Sequence, residues 1–223
     1  MHVLNSSFLC YICHVSTTFA GITLKFCVSD IGLMALCQCK LLHKITMNKI
    51  TNQTAMPSNR GITLEGVRKL VKELKFLEFI SFGSIGKIIN HADFDPIKNG
   101  EQSEKLRLTY YSELDTSFVD IPRLSLLCPF IVSISLSVPI SINVVGNVDA
   151  DLTKCVDILE ALAKSNLPLR HIELQHFPFC EAFSMLLQKK GPRLQDLLFR
   201  AINPISSEHL ITIGENCPRL QKL

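Results

Sequence analysis

The sequence predicts an α/β fold in which short parallel strands alternate with helices along a curved, repetitive solenoid. Three observations support this prediction: a short apolar motif recurs, its copies are regularly spaced, and a pair of apolar residues precedes most copies at a fixed distance. Self-similarity at a fixed period indicates a repeat architecture. We therefore expect parallel strands on the concave side and helices on the convex side.

The recurring motif has apolar residues at its fourth, seventh and ninth positions. Six copies begin at Cys39, Leu74, Cys128, Asn166, Gly191 and Cys217. Alternation over the last three positions is typical of a strand whose apolar side chains point to a core. The buried positions predicted from these copies are Leu77, Ile80, Ile134, Leu169, Ile172, Leu194 and Leu197. A weaker copy contains Leu106 and Leu108, and Ile22 with Leu24 forms another candidate.

The spacing of the copies sets the domain boundaries. Most neighbouring seventh positions, the strand anchors, are 23–28 residues apart, and the two longer steps contain extra loop at 49–61 and 140–152. The anchors are Ile22, Ile45, Ile80, Leu106, Ile134, Ile172, Leu197 and Leu223. Residues 21–223 are thus predicted to form one solenoid, preceded by an N-terminal segment, 1–20, without repeat character.

An apolar pair three residues apart lies 12–14 residues before most anchors. Residues at this spacing share one face of a helix, so a helix is predicted behind each strand. The pairs are Leu33 and Leu36, Val67 and Leu70, Ile121 and Leu124, Leu159 and Leu162, Phe183 and Leu186, and Leu210 and Ile213. The predicted helix starts are Ser29, Thr63, Thr153 and Ser206, which are residues that favour N-caps. Proline after Cys128, Gly191 and Cys217 is expected to end the helices there.

Two stretches carry a family resemblance. Ser29 to Leu36 leading to Cys39, and Ser206 to Leu220 with Cys217-Pro218 inside it, resemble the cysteine-containing leucine-rich repeat. The resemblance covers residues 21–223, and this subtype is similar to the repeat arrays of F-box proteins, the substrate receptors of cullin-type ubiquitin ligases. It implies a protein-interaction module, with substrate recognition for ubiquitin ligation as one role. No helix start resembling an F-box precedes the first repeat.

The residues between the buried strand positions should point to the concave face, which is the usual binding surface of such arrays. Phe79 and Leu198 would be exposed apolar residues there, and His171 and Arg200 have the chemistry of partner anchors. The predicted partner-binding residues are Lys44, Thr46, Phe79, Ser81, Arg107, Ser135, His171, Glu173, Gln175, Asp196, Leu198 and Arg200.

Composition and local patterns argue against several other classes. The chain has 23 basic and 20 acidic residues and a net charge of +3, which is too balanced for an electrostatic nucleic-acid binder. Leu124 to Val148 contains no charged residue, yet two prolines and an alternating period of two predict a helix end and a strand there, so no membrane partner is expected. Without a catalytic signature, metal motif or cofactor motif, we expect a non-enzymatic protein with no cofactor.

The nine cysteines give information on the cellular compartment of the protein. An odd number in a chain of this length favours buried free thiols and a cytoplasmic location, with the nucleus as a further possibility. Two alternatives stay open: a zinc site from Cys10, Cys13, Cys37 and Cys39, and a fragment of a secreted or cell-surface leucine-rich-repeat receptor. Glycosylation sequons at Asn5 and Asn52 would fit the second alternative.

The last copy of the motif suggests an exposed edge. The sequence stops at Leu223, so the ninth position of this copy is absent, and the array is expected to be incomplete at this end. An uncovered terminal repeat leaves apolar side chains and backbone groups exposed. We therefore expect self-association through the edge near Leu220 and Leu223.

Overall fold

The computed structural model describes residues 21–24, 30–47, 63–81, 86, 105–113, 116, 119–138 and 148–223. They form an α/β structure, which confirms the predicted class, and divide into two compact units, residues 1–83 with 91–108 and residues 84–90 with 109–223. The predictions for segment 1–20, for Cys10 and Cys13 and for the sequons at Asn5 and Asn52 lie outside the described residues.

The first unit contains three strands and two helices among its described residues. They are β1 (Gly21–Leu24), α1 (Asp30–Leu36), β2 (Lys44–Met47), α2 (Leu64–Glu73) and β3 (Phe79–Ser81). The strands are parallel, and the anchors Ile22, Ile45 and Ile80 stand side by side in them. Helices α1 and α2 pack against each other.

The second unit contains four parallel strands, four α-helices and one short 3₁₀ helix among its described residues. They are β4 (Tyr110–Glu113), α3 (Ile121–Leu127), β5 (Ser133–Ser137), α4 (Val148–Lys164), β6 (His171–Phe177), α5 (Glu181–Lys190), the 3₁₀ turn Gly191–Arg193, β7 (Asp196–Ala201) and α6 (Ser207–Asn216). Neighbouring strands follow chain order, and Ile134, Ile172 and Leu197 stand side by side. Parallel strands need such helical crossovers to connect them.

The predicted apolar positions form the cores of both units. Leu77, Ile134, Leu169, Ile172, Leu194 and Leu197 are all buried, whereas the side chain of Ile80 lies outside the described residues. The apolar pairs on α1 to α5 are buried as well. On α6, the helix predicted from Leu210 and Ile213 is present; Ile213 is buried, whereas Leu210 is 50% exposed. Leu210 lies where no further helix among the described residues covers it.

Four of the described helices, α2, α3, α5 and α6, end in a recurring turn. The Cys128 N–H donates to the Leu124 carbonyl at 2.8 Å, and the Ile131 N–H then donates to the Cys128 carbonyl at 3.3 Å. The same pair of bonds recurs at Leu74, Gly191 and Cys217. Helices α3 and α6 end just before Cys128-Pro129 and Cys217-Pro218, as predicted, because proline cannot donate the next helical hydrogen bond. After α5, Pro192 lies inside the 3₁₀ turn instead.

Three of the four helix starts predicted from the sequence agree with the structure. Thr63 and Ser206 cap α2 and α6 through their hydroxyl oxygens, and α1 begins directly after Ser29. Thr153 is not a cap, because α4 begins earlier, at Val148. The residues from 148 to 152 include no Gly or Pro, and two aspartates near a helix start are favoured by the helix dipole.

Strand β4 differs from its predicted register. The buried anchor is Tyr111, which pairs with Ile134, so Leu106 is not the anchor and Arg107 precedes the strand. Leu108, three residues before Tyr111, instead corresponds to Ile131, three residues before Ile134. The motif is hidden because Tyr111 and Glu113 take positions that are apolar aliphatic or phenylalanine in the following repeats. The buried Glu113 carboxylate accepts a hydrogen bond from the Gly86 N–H at 2.7 Å, which offsets part of its desolvation.

In the second unit, residues beyond α6 lie beside β7: Asp196 forms a parallel bridge with Lys222, and the Leu197 N–H donates to the Lys222 carbonyl at 3.0 Å.

Within the described ranges, no helix has both the length and the apolar composition that a membrane span requires.

Candidate functional site

One face of β5, β6 and β7 carries a regular grid of outward-pointing side chains. Strand alternation buries one set of residues and leaves the other set available to solvent. We call this grid the strand face; its members are Ser133, Ser135, Ser137, His171, Glu173, Gln175, Asp196, Leu198 and Arg200. The parallel register arranges them in three rows, each with one residue from every strand.

The first row is Ser133, His171 and Asp196. The His171 Nδ1 atom lies 2.8 Å from the Asp196 Oδ2 atom, a contact between residues on adjacent strands. Since a carboxylate accepts hydrogen bonds, Nδ1 carries the proton in this pair. Ser133 stands opposite His171, but no hydrogen bond joins its hydroxyl to the ring in the part of the chain that is described. The row therefore lacks the nucleophile–base contact that activates a serine.

The second row is centred on the Glu173 carboxylate. The Ser135 hydroxyl donates to its Oε2 atom at 2.9 Å, and the Gln175 amide donates to its Oε1 atom at 2.6 Å. Both carboxylate oxygens are thus held by neutral donors, one of them on the neighbouring strand. Because its bonds fix its orientation, Glu173 would lose less conformational entropy on binding than a freely rotating side chain.

Leu198 and Arg200 are the exposed members of the strand face, and they take no part in the hydrogen bonds of the other rows. Leu198 lies opposite Glu173 and is 43% exposed, and Arg200 lies opposite Gln175. Arg200 is exposed, and its guanidinium makes no hydrogen bond or ion pair with any described residue. A guanidinium offers five N–H donors in a planar fork that matches carboxylates and phosphates. The face therefore presents an apolar side chain and an unengaged cation beside an ordered polar network.

The first unit holds the other five predicted residues. The Lys44 ammonium lies 4.4 Å from the centre of the Phe79 ring, and the two residues are opposite each other in β2 and β3. This is a cation–π contact. The side chains of Thr46 and Ser81 lie outside the described residues. Arg107 is exposed but precedes β4, so its predicted position within a strand is wrong.

Sequence reasoning missed two features next to the strand face. Tyr110 and Ser112 are the outward positions of β4, because Tyr111 and Glu113 are buried. The second feature is an irregularity in β6 between Gln175 and Phe177, where His176 has a φ of 61°. This irregularity lets Phe177 turn into the core, which strict alternation from Ile172 and Leu174 would not allow. The Nδ1–H of His176 donates to the Val138 carbonyl at 3.2 Å.

The cysteines among the described residues are free thiols, and all except the half-buried Cys180 are buried. Burial raises the pKa of Cys128 to about 12, and it also raises the pKa of Cys217. At neutral pH these thiols are protonated packing groups rather than thiolate nucleophiles or ligands. Within the described part of the chain, no three His, Cys, Asp or Glu residues form a group that could hold a metal ion.

No family model and no curated protein matches this chain.

Proposed function

We propose that this chain is a leucine-rich-repeat module that binds a protein partner through the strand face and catalyses no reaction. The main support for this proposal is that Leu198 and Arg200 are exposed and lie beside the hydrogen-bonded network around Glu173 without taking part in it. Arginine is enriched among the residues that dominate binding energy, and apolar area is concentrated in interface cores. The ordered network around the pair lowers the entropic cost of association.

The repeat assignment is supported by the recurring local geometry. Anchors fall side by side on neighbouring strands, and the same hydrogen-bonded turn links helix to strand at Leu74, Cys128, Gly191 and Cys217. Two of these turns begin with a buried cysteine followed by proline, the feature that resembles the cysteine-containing repeat. On this basis we assign the module to substrate recognition of the F-box type, in the cytoplasm or nucleus.

A quantitative partner comparison tests the proposal. The chain, a Leu198→Asp/Arg200→Glu variant and a Leu126→Asp control are each expressed in cells for proximity labelling. Leu126 is a suitable control because it is 58% exposed, more than Leu198, but lies on α3. We expect a defined protein set that the double variant loses and the control retains, and recovery of a ligase adaptor with the unmodified chain would support the F-box-type assignment.

Three results would contradict the proposal. If the double variant recovered the same proteins as the unmodified chain, the strand face would be excluded as the binding surface. If the Leu126→Asp control lost them as well, the effect would be non-specific. Recovery of a cell-surface ligand by a chain glycosylated at Asn52 would instead identify a secreted or surface receptor. Circular dichroism of each purified variant establishes that the fold is retained.

A further inference from the structure

The Glu173 carboxylate carries a negative charge that no cation among the described residues neutralises. The Ser135 hydroxyl and the Gln175 amide donate to its two oxygens at 2.9 Å and 2.6 Å, and both donors are neutral. The ion pairs among the described residues involve other carboxylates. The Asp196 carboxylate, one row away, has the His171 ring at 2.8 Å. Glu173 is thus an ordered, half-buried anion without a counter-ion in the described part of the chain.

The Glu173 carboxylate can accept more hydrogen bonds than it receives. An ionised carboxylate has about four lone-pair sites, and the described donors occupy two of them. The Ser135 oxygen donates its only proton to Glu173 and keeps lone pairs that can accept. A guanidinium has several coplanar N–H donors that can bond both residues at once, whereas an ammonium is a compact point charge. The chemistry of this position therefore matches arginine better than lysine.

Short side chains leave room beside this carboxylate. Ser135 stands opposite Glu173 on β5, and Ser112 stands opposite Ser135 on β4, so two serines extend the row of Glu173 toward β4. Adjacent strands lie about 4.8 Å apart, so the row from Ser112 to Glu173 is about 10 Å long. We call Ser112, Ser135 and Glu173 the serine channel. It accommodates one long side chain that lies across the strands and ends at the carboxylate.

We propose that the serine channel binds an arginine side chain from a linear segment of the protein partner, with its guanidinium on Glu173 and Ser135. This inference rests on the proposed function and adds the chemistry of the partner. A neutral segment that covered Glu173 would remove water from a carboxylate without replacing its hydrogen bonds, which is costly. A cation offsets this cost, so the channel discriminates between partners by charge. Leu198, opposite Glu173 on β7, supplies the apolar contact beside it.

Selection from a displayed library of random linear peptides tests this proposal. The targets are the purified chain, Glu173→Gln and the control Glu181→Gln, which removes the same charge from an exposed position on α5. We expect the peptides selected on the chain and on the control to share an arginine, and those selected on Glu173→Gln to lack this preference. Glu173→Asp, which keeps the charge, should retain it. Circular dichroism of each variant establishes that the fold is retained.

An affinity measurement isolates the contact between the two charges. One selected peptide is synthesised with its shared arginine and with citrulline, which has nearly the same shape but no charge. Citrulline should weaken binding to the unmodified chain about tenfold. It should weaken binding to Glu173→Gln by less than about twofold, because the charge pair is already absent there. Equal losses on the two proteins would overturn the inference.

Two other results would overturn it as well: selected peptides that share no arginine, and a library from which no peptide is selected. Neither result contradicts the proposed function if the Leu198→Asp/Arg200→Glu variant still loses its partner proteins in cells. The proposed function fails separately if that variant keeps them.

Discussion

Gly191 lies directly against Cys217, the residue that takes the same position one repeat later. A Cβ atom at Gly191 would come within 2.3 Å of the Asn216 carbonyl oxygen and 3.0 Å of the Cys217 Sγ atom. Successive turns in this unit therefore stack closely, and the close contact requires glycine at this position. The backbone of Gly191 is helical, with φ −50° and ψ −42°, so sterics rather than conformation exclude a larger residue.

Gly191→Ala should consequently destabilise the protein by about 1–3 kcal/mol, the usual cost of overpacking a close contact. Gly214→Ala is the matched control, since a Cβ atom there meets nothing within 4 Å. It should stabilise α6 by about 1 kcal/mol, the helix preference of alanine over glycine. Urea unfolding measures both changes. Equal effects of the two substitutions would show that the turns do not stack as described.

Ile172→Ala should lower the free energy of unfolding by about 2–5 kcal/mol, because it removes buried apolar surface and leaves a cavity. Ile172 is an anchor on β6, between Ile134 and Leu197 on the neighbouring strands. Leu198→Ala, one residue from Leu197 but on the exposed face, should change stability by about 0.5 kcal/mol or less. If Ile172→Ala left thermal stability unchanged, the assigned register would be wrong.

The anchors could be predicted because Ile134, Ile172 and Leu197 are aliphatic and repeat at a regular spacing. Tyr111 and Glu113 could not be recognised, because polar atoms at core positions break the apolar pattern. The side chains of the strand face were assigned correctly for β5 to β7, since alternation alone fixes their direction. Their contacts, such as the bond from Ser135 to Glu173, depend on side-chain rotamers and strand register, which the motif does not specify.

The irregularity in β6 yields a prediction about backbone conformation. His176 has a positive φ, which is unfavourable for a β-branched residue and much better tolerated by asparagine. His176→Val should therefore destabilise the protein by about 1–3 kcal/mol more than His176→Asn. Thermal unfolding of the two variants measures the difference. Indistinguishable stabilities would mean that this residue does not hold the left-handed conformation in solution.

Buried thiols predict a loss of stability at alkaline pH. Burial raises the pKa of Cys128 to about 12, so the unfolded chain loses this thiol proton at a lower pH than the folded chain. The contribution of Cys128 is fully present below the ordinary thiol pKa and is lost as the pH rises toward about 12. Burial likewise raises the pKa of Tyr111, which adds a loss in the same direction.

Unfolding free energies at pH 8 and pH 11 measure this effect. The unfolding free energy of Cys128→Ala should fall less between the two pH values than that of the unmodified chain. At pH 8 the variant should be the less stable protein, because the substitution leaves a cavity. Identical pH dependence in the two proteins would contradict the assignment of the buried thiol.

Binding through the strand face is tested most directly by site-specific photo-crosslinking in cells. A photoreactive amino acid is placed at position 198 in one protein and at position 126 in another, two exposed sites on different surfaces of the same unit. We predict a discrete covalent adduct with a partner protein from position 198, absent from position 126 and lost when Arg200→Glu is added. Adducts that form equally at both positions, or only at 126, would contradict the proposed binding surface.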